Sequence, residues 1–448
     1  MIEKNLQALE KYNSILESLP DELAKKVDRN ALFIRCLEKI SKTKSKEFFI
    51  VRYVKFLVRI ASELRNKFIW KILKIISKRS IKLAQARNIS IAHYQIDKFL
   101  NKQTFDGRSD YVTELLNQDE ILNIIHTSSP QKSLLISHKK VLPVYFEAFL
   151  SENDRKNKVK SIDSIFSKFP NALISEILEK DISTFDKKFF SRILFIKKFL
   201  FIDDARHTFY LRILSQKRKI ETFAYMHGRF NEFHTGLMYP PFNNYLLWSD
   251  YYKKFLSINH YYSSTNFFIS GPPFLRKKNN YDDSFSPKKN TNILLIGEDN
   301  VNPDYIYEYC KELKKIPNSE IFYRPKSDKI EYKFLDKNSY ILDNSNSLQE
   351  SLHKNKIDVV IGTHSTALIE SLLYGIPSIL LSTPIDYGDH LIRDQVCYLC
   401  KSPDKIYETI RQTIKLSKKD IKTLEKRIWS KSYYDYSEIK CFISKLKK

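Results

Sequence analysis

Two histidines in one loop, where a strand ends, are groups that can exchange protons near neutral pH. The segment AYMHGRFNEFHTGLMYPP, residues 224–241, holds His227 and His234 seven residues apart, with Gly228 and Gly236 each close behind one of them. The run KIETFAYMHG (219–228) reads as a strand that ends at His227. An imidazole at that point can accept or give a proton near neutral pH. His234 in the same loop is a second such group, and Arg229 is a fixed positive charge beside the first. The plainer alternative is a loop whose histidines satisfy buried backbone groups.

A second constellation lies in IDVVIGTHSTALIESLLYGIPSILL, residues 357–381. A buried strand ends at Gly362, residues 363–366 turn, and a helix is expected over 366–375. Ligands of open α/β sheets bind at the carboxyl ends of strands, and a helix start offers unpaired N–H groups and a positive dipole end. Ser365 is the natural cap of that helix, and His364, Ser365 and Thr366 add side-chain donors for a phosphate. Glu370, about a turn further in, is expected to reach a ribose hydroxyl. Gly297 follows the strand TNILLI and marks a second phosphate-facing turn, and Arg324 in YRPKSD is a further phosphate candidate. The bland reading here is an ordinary strand-to-helix turn with a capping serine.

The elements that must position these groups follow from glycine placement and apolar rhythm. Only Gly107 precedes residue 228; the other seven of the eight glycines lie at 228 or beyond. Residues 1–130 therefore read as a helical, basic N-terminal region. Residues 131–275 read as a first α/β domain, 276–290 as a polar linker, 291–402 as a second α/β domain, and 403–448 as C-terminal helices. Continuous apolar strands alternating with helices imply parallel sheets covered on both faces. Within the N-terminal region, charges at 52, 55, 59, 63, 67, 71, 74 and 78 trace one stripe along a helix, and all but Glu63 are basic. That stripe is either the wet edge of a buried helix or a face for an anionic membrane surface.

Residues 220–400 together resemble GT-B glycosyltransferases that build bacterial capsule and lipopolysaccharide glycans, including the sialyltransferase-like and polysaccharide-polymerase groups. The resemblance rests on the strand ending in His227-Gly228, then His234, Gly236 and Tyr239-Pro240, on NYLLWSD and SGPP, and on the HST turn at 364–366. It implies an α/β GT-B fold, two Rossmann-like domains facing across a cleft, with an extra N-terminal helical region. It also implies a sugar moved from a nucleotide-sugar donor (CMP-, UDP- or GDP-linked) to a lipid-linked or oligosaccharide acceptor, with no further cofactor. His227 is then the preferred acid/base, deprotonating an acceptor hydroxyl or protonating a departing phosphate, with His234 to assist or bind phosphate, Arg229 to neutralise phosphate charge, and the C-terminal domain gripping the nucleotide. The chain departs from the pattern at Arg324-Pro325, where related enzymes often carry His-Pro, which leaves the donor open.

Composition sets the outer bounds. The 448 residues exceed one ordinary core, and 42% are hydrophobic, which excludes a disordered chain. The net charge is +24, and residues 1–100 hold 22 Lys and Arg against 10 Asp and Glu. Such a balance points to an anionic partner, or to Lys-rich codon usage. Five cysteines argue against a disulfide scaffold; Cys397 and Cys400 read as core thiols in a reducing compartment. With a polar N-terminus and no apolar run of membrane length, a cytoplasmic protein, peripheral on the inner membrane, is expected. Neither a Walker A motif nor HExxH nor a strand-end DxD is present, so a metal is not expected. Two rivals remain at this level. One is polyol-phosphate transfer, as in teichoic-acid polymerases; the other is nucleic-acid binding, on charge alone.

Overall fold

In the computed structural model the described residues are 2–41, 49–96, 110–127, 142–151, 154, 162–166, 170–203, 208–228, 234–273, 275, 290–297, 303–325, 340–363, 365–382, 391–392, 394–429 and 433–448. For 2–6, 40–41, 49–65, 96 and 303–305 the description is of the backbone. The chain forms two compact units. One comprises Gln7–Trp248, Tyr252–Phe274 and Asp435–Lys448, the other mainly Leu275–Tyr434.

The first unit is built on seven strands: β1 Ile91–Ile96, β2 Ile121–His126, β3 Leu142–Tyr145, β4 Lys198–Ile202, β5 Glu221–Tyr225, β6 Asn244–Leu247 and β7 Asn266–Ile269. They pair in parallel in the order β3-β2-β1-β4-β5-β6-β7. Strands such as KFLFI and NYLL bury almost every residue, as a sheet covered on both faces requires.

This sheet starts earlier than residue 131. β1 and β2 fall inside the stretch expected to be wholly helical, because His93, Gln95 and Asn123 interrupt its apolar pattern. All three are nonetheless buried and bonded to one another. His93 Nδ1 meets Gln95 Nε2 at 2.7 Å, and Gln95 donates to Asn123 Oδ1 at 2.9 Å. A polar residue satisfied inside a sheet is invisible to hydrophobic patterning. Nearly all of the expected linker lies outside the described residues.

The basic stripe does lie on a helix, Phe49–Ala86, of 38 residues. Asn88, with φ 55°, takes the left-handed conformation just beyond its end. Ile69 and Leu73 pack on Ile125 and Tyr145, and Ser77 Oγ accepts the Tyr145 N–H at 2.9 Å. Three N-terminal helices, Ile2–Ser18, Asp21–Ala24 and Arg29–Ser41, form a separate core in which Ala8, Tyr12 and Phe33 meet Ile174 and Leu178 of the helix Asn171–Lys188.

The last helix, Tyr436–Lys447, belongs to this unit too, although its sequence lies beyond the second domain. The Phe442 ring lies 5.6 Å from Phe223 and 5.5 Å from Phe268, and Lys198 donates to the Lys445 carbonyl at 2.8 Å.

The second unit carries six strands: β8 Thr291–Ile296, β9 Ser319–Arg324, β10 Ile341–Leu342, β11 Val359–Gly362, β12 Ser378–Leu381 and β13 Tyr398–Cys400. They are parallel, in the order β10-β9-β8-β11-β12-β13. Numbered from its first strand this is 3-2-1-4-5-6, the order of dinucleotide-binding sheets. Ile293, Leu295, Val359, Ile361, Ile379 and Leu381 form its core with the helices Pro303–Leu313 and Ile406–Thr413. Cys397 and Cys400 are buried and unbridged, at 3.1 Å from Ser378 Oγ and 3.2 Å from the Ser402 carbonyl. They are core thiols, as their sequence context predicts.

Candidate active site

In each sheet the strand order reverses at one point, between β1 and β4 in the first and between β8 and β11 in the second. Loops leaving neighbouring strands diverge there and open a crevice at the carboxyl ends. Gly297 and the turn 363–366 flank the second of these points, whereas His227 follows β5, one strand removed from the first.

In the seven-stranded unit β4 ends at Ile202 and β5 at Tyr225, and the two strands are neighbours. The ladder continues one step, since the Asp203 N–H donates to the Tyr225 carbonyl at 3.1 Å. This step sets Asp203 beside His227. The Asp203 Oδ1 accepts the His227 backbone N–H at 3.0 Å and also contacts the ring nitrogen Nδ1. Its Oδ2 accepts the Tyr245 hydroxyl at 3.0 Å. Burial, followed by the charge of Asp203, holds the Tyr245 hydroxyl well above its usual range, so it remains a donor to the carboxylate.

The Met226 carbonyl just before His227 is clamped from two sides. Tyr111 Oη donates to it at 2.9 Å and Trp248 Nε1 at 3.1 Å. The His227 side chain is 26% exposed while Asp203 is 2% exposed. A buried, hydrogen-bonded carboxylate thus fixes a ring that reaches the surface. With Nδ1–H held by Asp203, the proton-accepting lone pair of the neutral ring is on Nε2, and the carboxylate stabilises the imidazolium that forms.

Asp203 is absent from the candidates drawn from sequence. Its signal is the dipeptide at the end of FLFIDD, an acid closing an apolar run, which gains meaning only once β4 and β5 are known to be neighbours. Beneath this pair lies the buried network already described. Tyr225 Oη meets His93 Nε2 at 3.1 Å, and burial pushes His93 down to about 3, so it is neutral across the working pH range.

Gly228 has open space around it and no positive φ, so its position does not require glycine. His234 is exposed and precedes the 3-10 turn Thr235–Leu237. The Gly236 carbonyl accepts Arg212 Nη1 at 2.7 Å, deep in the unit. Arg29 lies over Tyr239 at 5.2 Å and over Tyr261 at 5.4 Å, and the Tyr239–Pro240 bond is cis. Arg229 lies outside the described residues.

A second His–carboxylate pair occurs on the same edge of the sheet. His126, the last residue of β2, meets Glu147 Oε1 through Nδ1 at 2.5 Å. Sequence gave no reason to pair residues from those two segments.

In the six-stranded unit, Gly297 follows β8 and the turn 363–366 follows β11, so both flank the reversal point. The Gly297 N–H donates to the Arg324 carbonyl at 2.8 Å. A Cβ at Gly297 would meet the hydroxyl end of the buried Tyr323 ring, with Cζ at 3.0 Å, so a side chain here requires that ring to shift.

The expected helix at 366–375 is shorter than its apolar pattern suggests. It is α-helical only over Ala367–Glu370 and continues as a 3-10 turn, Ser371–Tyr374. Gly375, at φ 72°, ends it in the left-handed region. Ser365 Oγ accepts the Ala367 N–H at 3.4 Å, and Ser365 and Thr366 are both half-buried. Glu370 is 4% exposed, its N–H bonded to the Thr366 carbonyl at 2.9 Å. It is thus a buried group under the turn, not a side chain extended from it. Burial, and after it the charge of Glu370, hold the Tyr374 hydroxyl well above its usual range. His364 lies outside the described residues.

Arg324 is engaged within its own unit. Its Nη1 donates to Asp343 Oδ2 at 2.7 Å and to the Ser345 carbonyl at 3.0 Å. Asp343 is buried, which by itself would raise its pKa. Hydrogen bonds from Ser345 and Arg324 outweigh this and hold the carboxyl below the usual range. Arg324 therefore locks β9 to the segment after β10.

No family model matches the sequence, and none of the curated proteins matches it. Among solved structures, the chain is similar to S. aureus MnaA bound to UDP, at 12% identity and a TM-score of 0.47, with 80% of this chain and 95% of that one covered. It is similar to the glycosyltransferase of kitacinnamycin at 10% identity and a TM-score of 0.48, covering 80% and 98%. It is also similar to a UDP-N-acetylglucosamine 2-epimerase at 12% identity and a TM-score of 0.46, covering 80% and 94%.

Proposed function

We propose that this chain is a glycosyltransferase of the GT-B kind. It moves a sugar from a nucleotide-sugar donor to a hydroxyl of a growing bacterial surface polysaccharide, capsule or lipopolysaccharide, in the cytoplasm. The observation that carries the reading is the His227–Asp203 pair at the carboxyl ends of two adjacent strands. His227 Nε2 takes the proton of the acceptor hydroxyl as the glycosidic bond forms, and Asp203 balances the imidazolium charge. The sugar leaves its nucleotide, whose phosphate gains negative charge. In this reading the backbone N–H groups and hydroxyls of Ser365 and Thr366 receive that charge, with His364 and the Gly297 turn beside them. Arg229 and His234 are proposed as further phosphate contacts on the His227 loop.

Support for a nucleotide in the six-stranded unit comes from its 3-2-1-4-5-6 strand order and from two turns flanking the reversal point. The donor is a CMP-, UDP- or GDP-linked sugar. The test is a panel of CMP, CDP, UDP, GDP and ADP in thermal-shift measurements. A ligand that binds only the folded state raises Tm by mass action. One selective shift, lost in Ser365→Ala and retained in His227→Ala, supports the division of labour. No shift with any nucleotide refutes it. Product analysis then distinguishes glycosyl from phosphoglycerol transfer.

A further inference from the structure

The helix Phe49–Ala86 presents an exposed face with a composition that the packing of its unit does not use. Lys67, Phe68, Lys71, Ile75, Lys78, Arg79, Lys82 and Leu83 are all exposed, and at 100° per residue they share one side. Phe68 is 66% and Ile75 68% exposed, and both sit near the middle of that side. Lys67, Lys71 and Lys78 flank them on one edge and Arg79 on the other. From residue 64 to residue 96 the sequence holds no Asp or Glu. The opposite side, with Ile69, Leu73 and Ser77, is buried against the sheet.

We infer that this face docks the protein on an anionic lipid bilayer surface, lying in the plane of the interface. Cations of this density fit lipid phosphates, at roughly fivefold in affinity per Lys or Arg near the surface. The apolar pair argues for a bilayer over a nucleic acid. A phenyl and a sec-butyl group at the centre of the cationic face gain by entering the acyl boundary and have nothing to gain against a phosphate backbone. Among the described residues no helix is long and apolar enough to cross a membrane, and the proposed contact is a peripheral one. The inference is independent of the catalytic reading.

The experiment is co-sedimentation of the full chain with phosphatidylcholine vesicles, and with vesicles in which about a third of the lipid is phosphatidylglycerol. Binding is expected to the second and not the first, and to fall as salt rises. K67E/K71E/K78E should weaken it by at least a hundredfold. F68S/I75S, with all charges retained, should weaken it about tenfold. K418E/K419E/K426E, which changes three exposed lysines of the helix Lys418–Ile428, removes the same charge elsewhere and should leave it intact. All these side chains are exposed, and an unchanged circular dichroism spectrum and Tm verify folding. Failure to sediment with anionic vesicles, or equal losses in the two triple variants, overturns the proposal. Insensitivity to F68S/I75S combined with tight duplex-DNA binding also overturns it.

Discussion

Asp203→Asn changes one atom and one charge at the centre of the proposed base. The carboxylate accepts three hydrogen bonds, from the His227 N–H, the His227 ring and the Tyr245 hydroxyl. In one orientation the Asn oxygen keeps both His227 bonds and its amide faces Tyr245, whose hydroxyl can rotate to accept. The fold and the ring tautomer then survive, and only the charge is lost. In the other orientation the amide faces Nδ1, the proton is forced onto Nε2 and the ring is no longer a base. The charge term sets the smaller loss. Two charges about 4 Å apart at an effective dielectric near 20 interact by about 4 kcal/mol. Asp203 is 2% exposed, so solvent does little to screen that interaction. A loss of about 4 kcal/mol in the transition state corresponds to roughly a thousandfold in kcat. KM and Tm should change little. The assay follows transfer of labelled sugar from the donor whose nucleotide shifts Tm. A fall of less than tenfold in D203N would refute the reasoning, because the carboxylate would then not be stabilising a developing imidazolium.

Other expectations follow from the same geometry. Gly297→Ala drives a Cβ toward the Tyr323 ring and should cost about 1–3 kcal/mol of stability. Adding Tyr323→Phe should recover part of it in denaturant titrations. His93, depressed to about 3 by burial, binds no proton in the folded state at pH 5, whereas the unfolded chain does. Its contribution is therefore complete above the unfolded value near 6.5, and about 2 kcal/mol of it is lost by pH 5. Denaturation of wild type and His93→Gln at both pH values should show the smaller pH dependence in the variant. Arg324→Met strands the buried Asp343 charge and should destabilise the six-stranded unit by about 3–5 kcal/mol. That loss should shrink as acid protonates Asp343.

The six-stranded sheet was legible because nearly every strand in it is an apolar run bounded by a turn residue, from TNILLI to SILL. The seven-stranded sheet was legible only from β5 onward. β1 and β2 carry His93, Gln95 and Asn123, residues whose burial depends on partners from other segments. The closing helix Tyr436–Lys447 could not be assigned from its own pattern, because an amphipathic stripe does not say which sheet it covers. At the site, His227 was readable from its place after a strand. Asp203 was not, since its role arises from the adjacency of β4 and β5. The burial of Glu370 was not readable either, because helical spacing from a turn says how far along a residue lies and not which way it faces.

The most direct measurement is the release of nucleotide from a panel of CMP-, UDP- and GDP-sugars, comparing wild type with His227→Ala. The account predicts turnover for one nucleotide class, reduced at least a hundredfold in His227→Ala while binding of the matching nucleotide persists. Turnover unchanged by His227→Ala, or nucleotide binding lost together with His227, would contradict it.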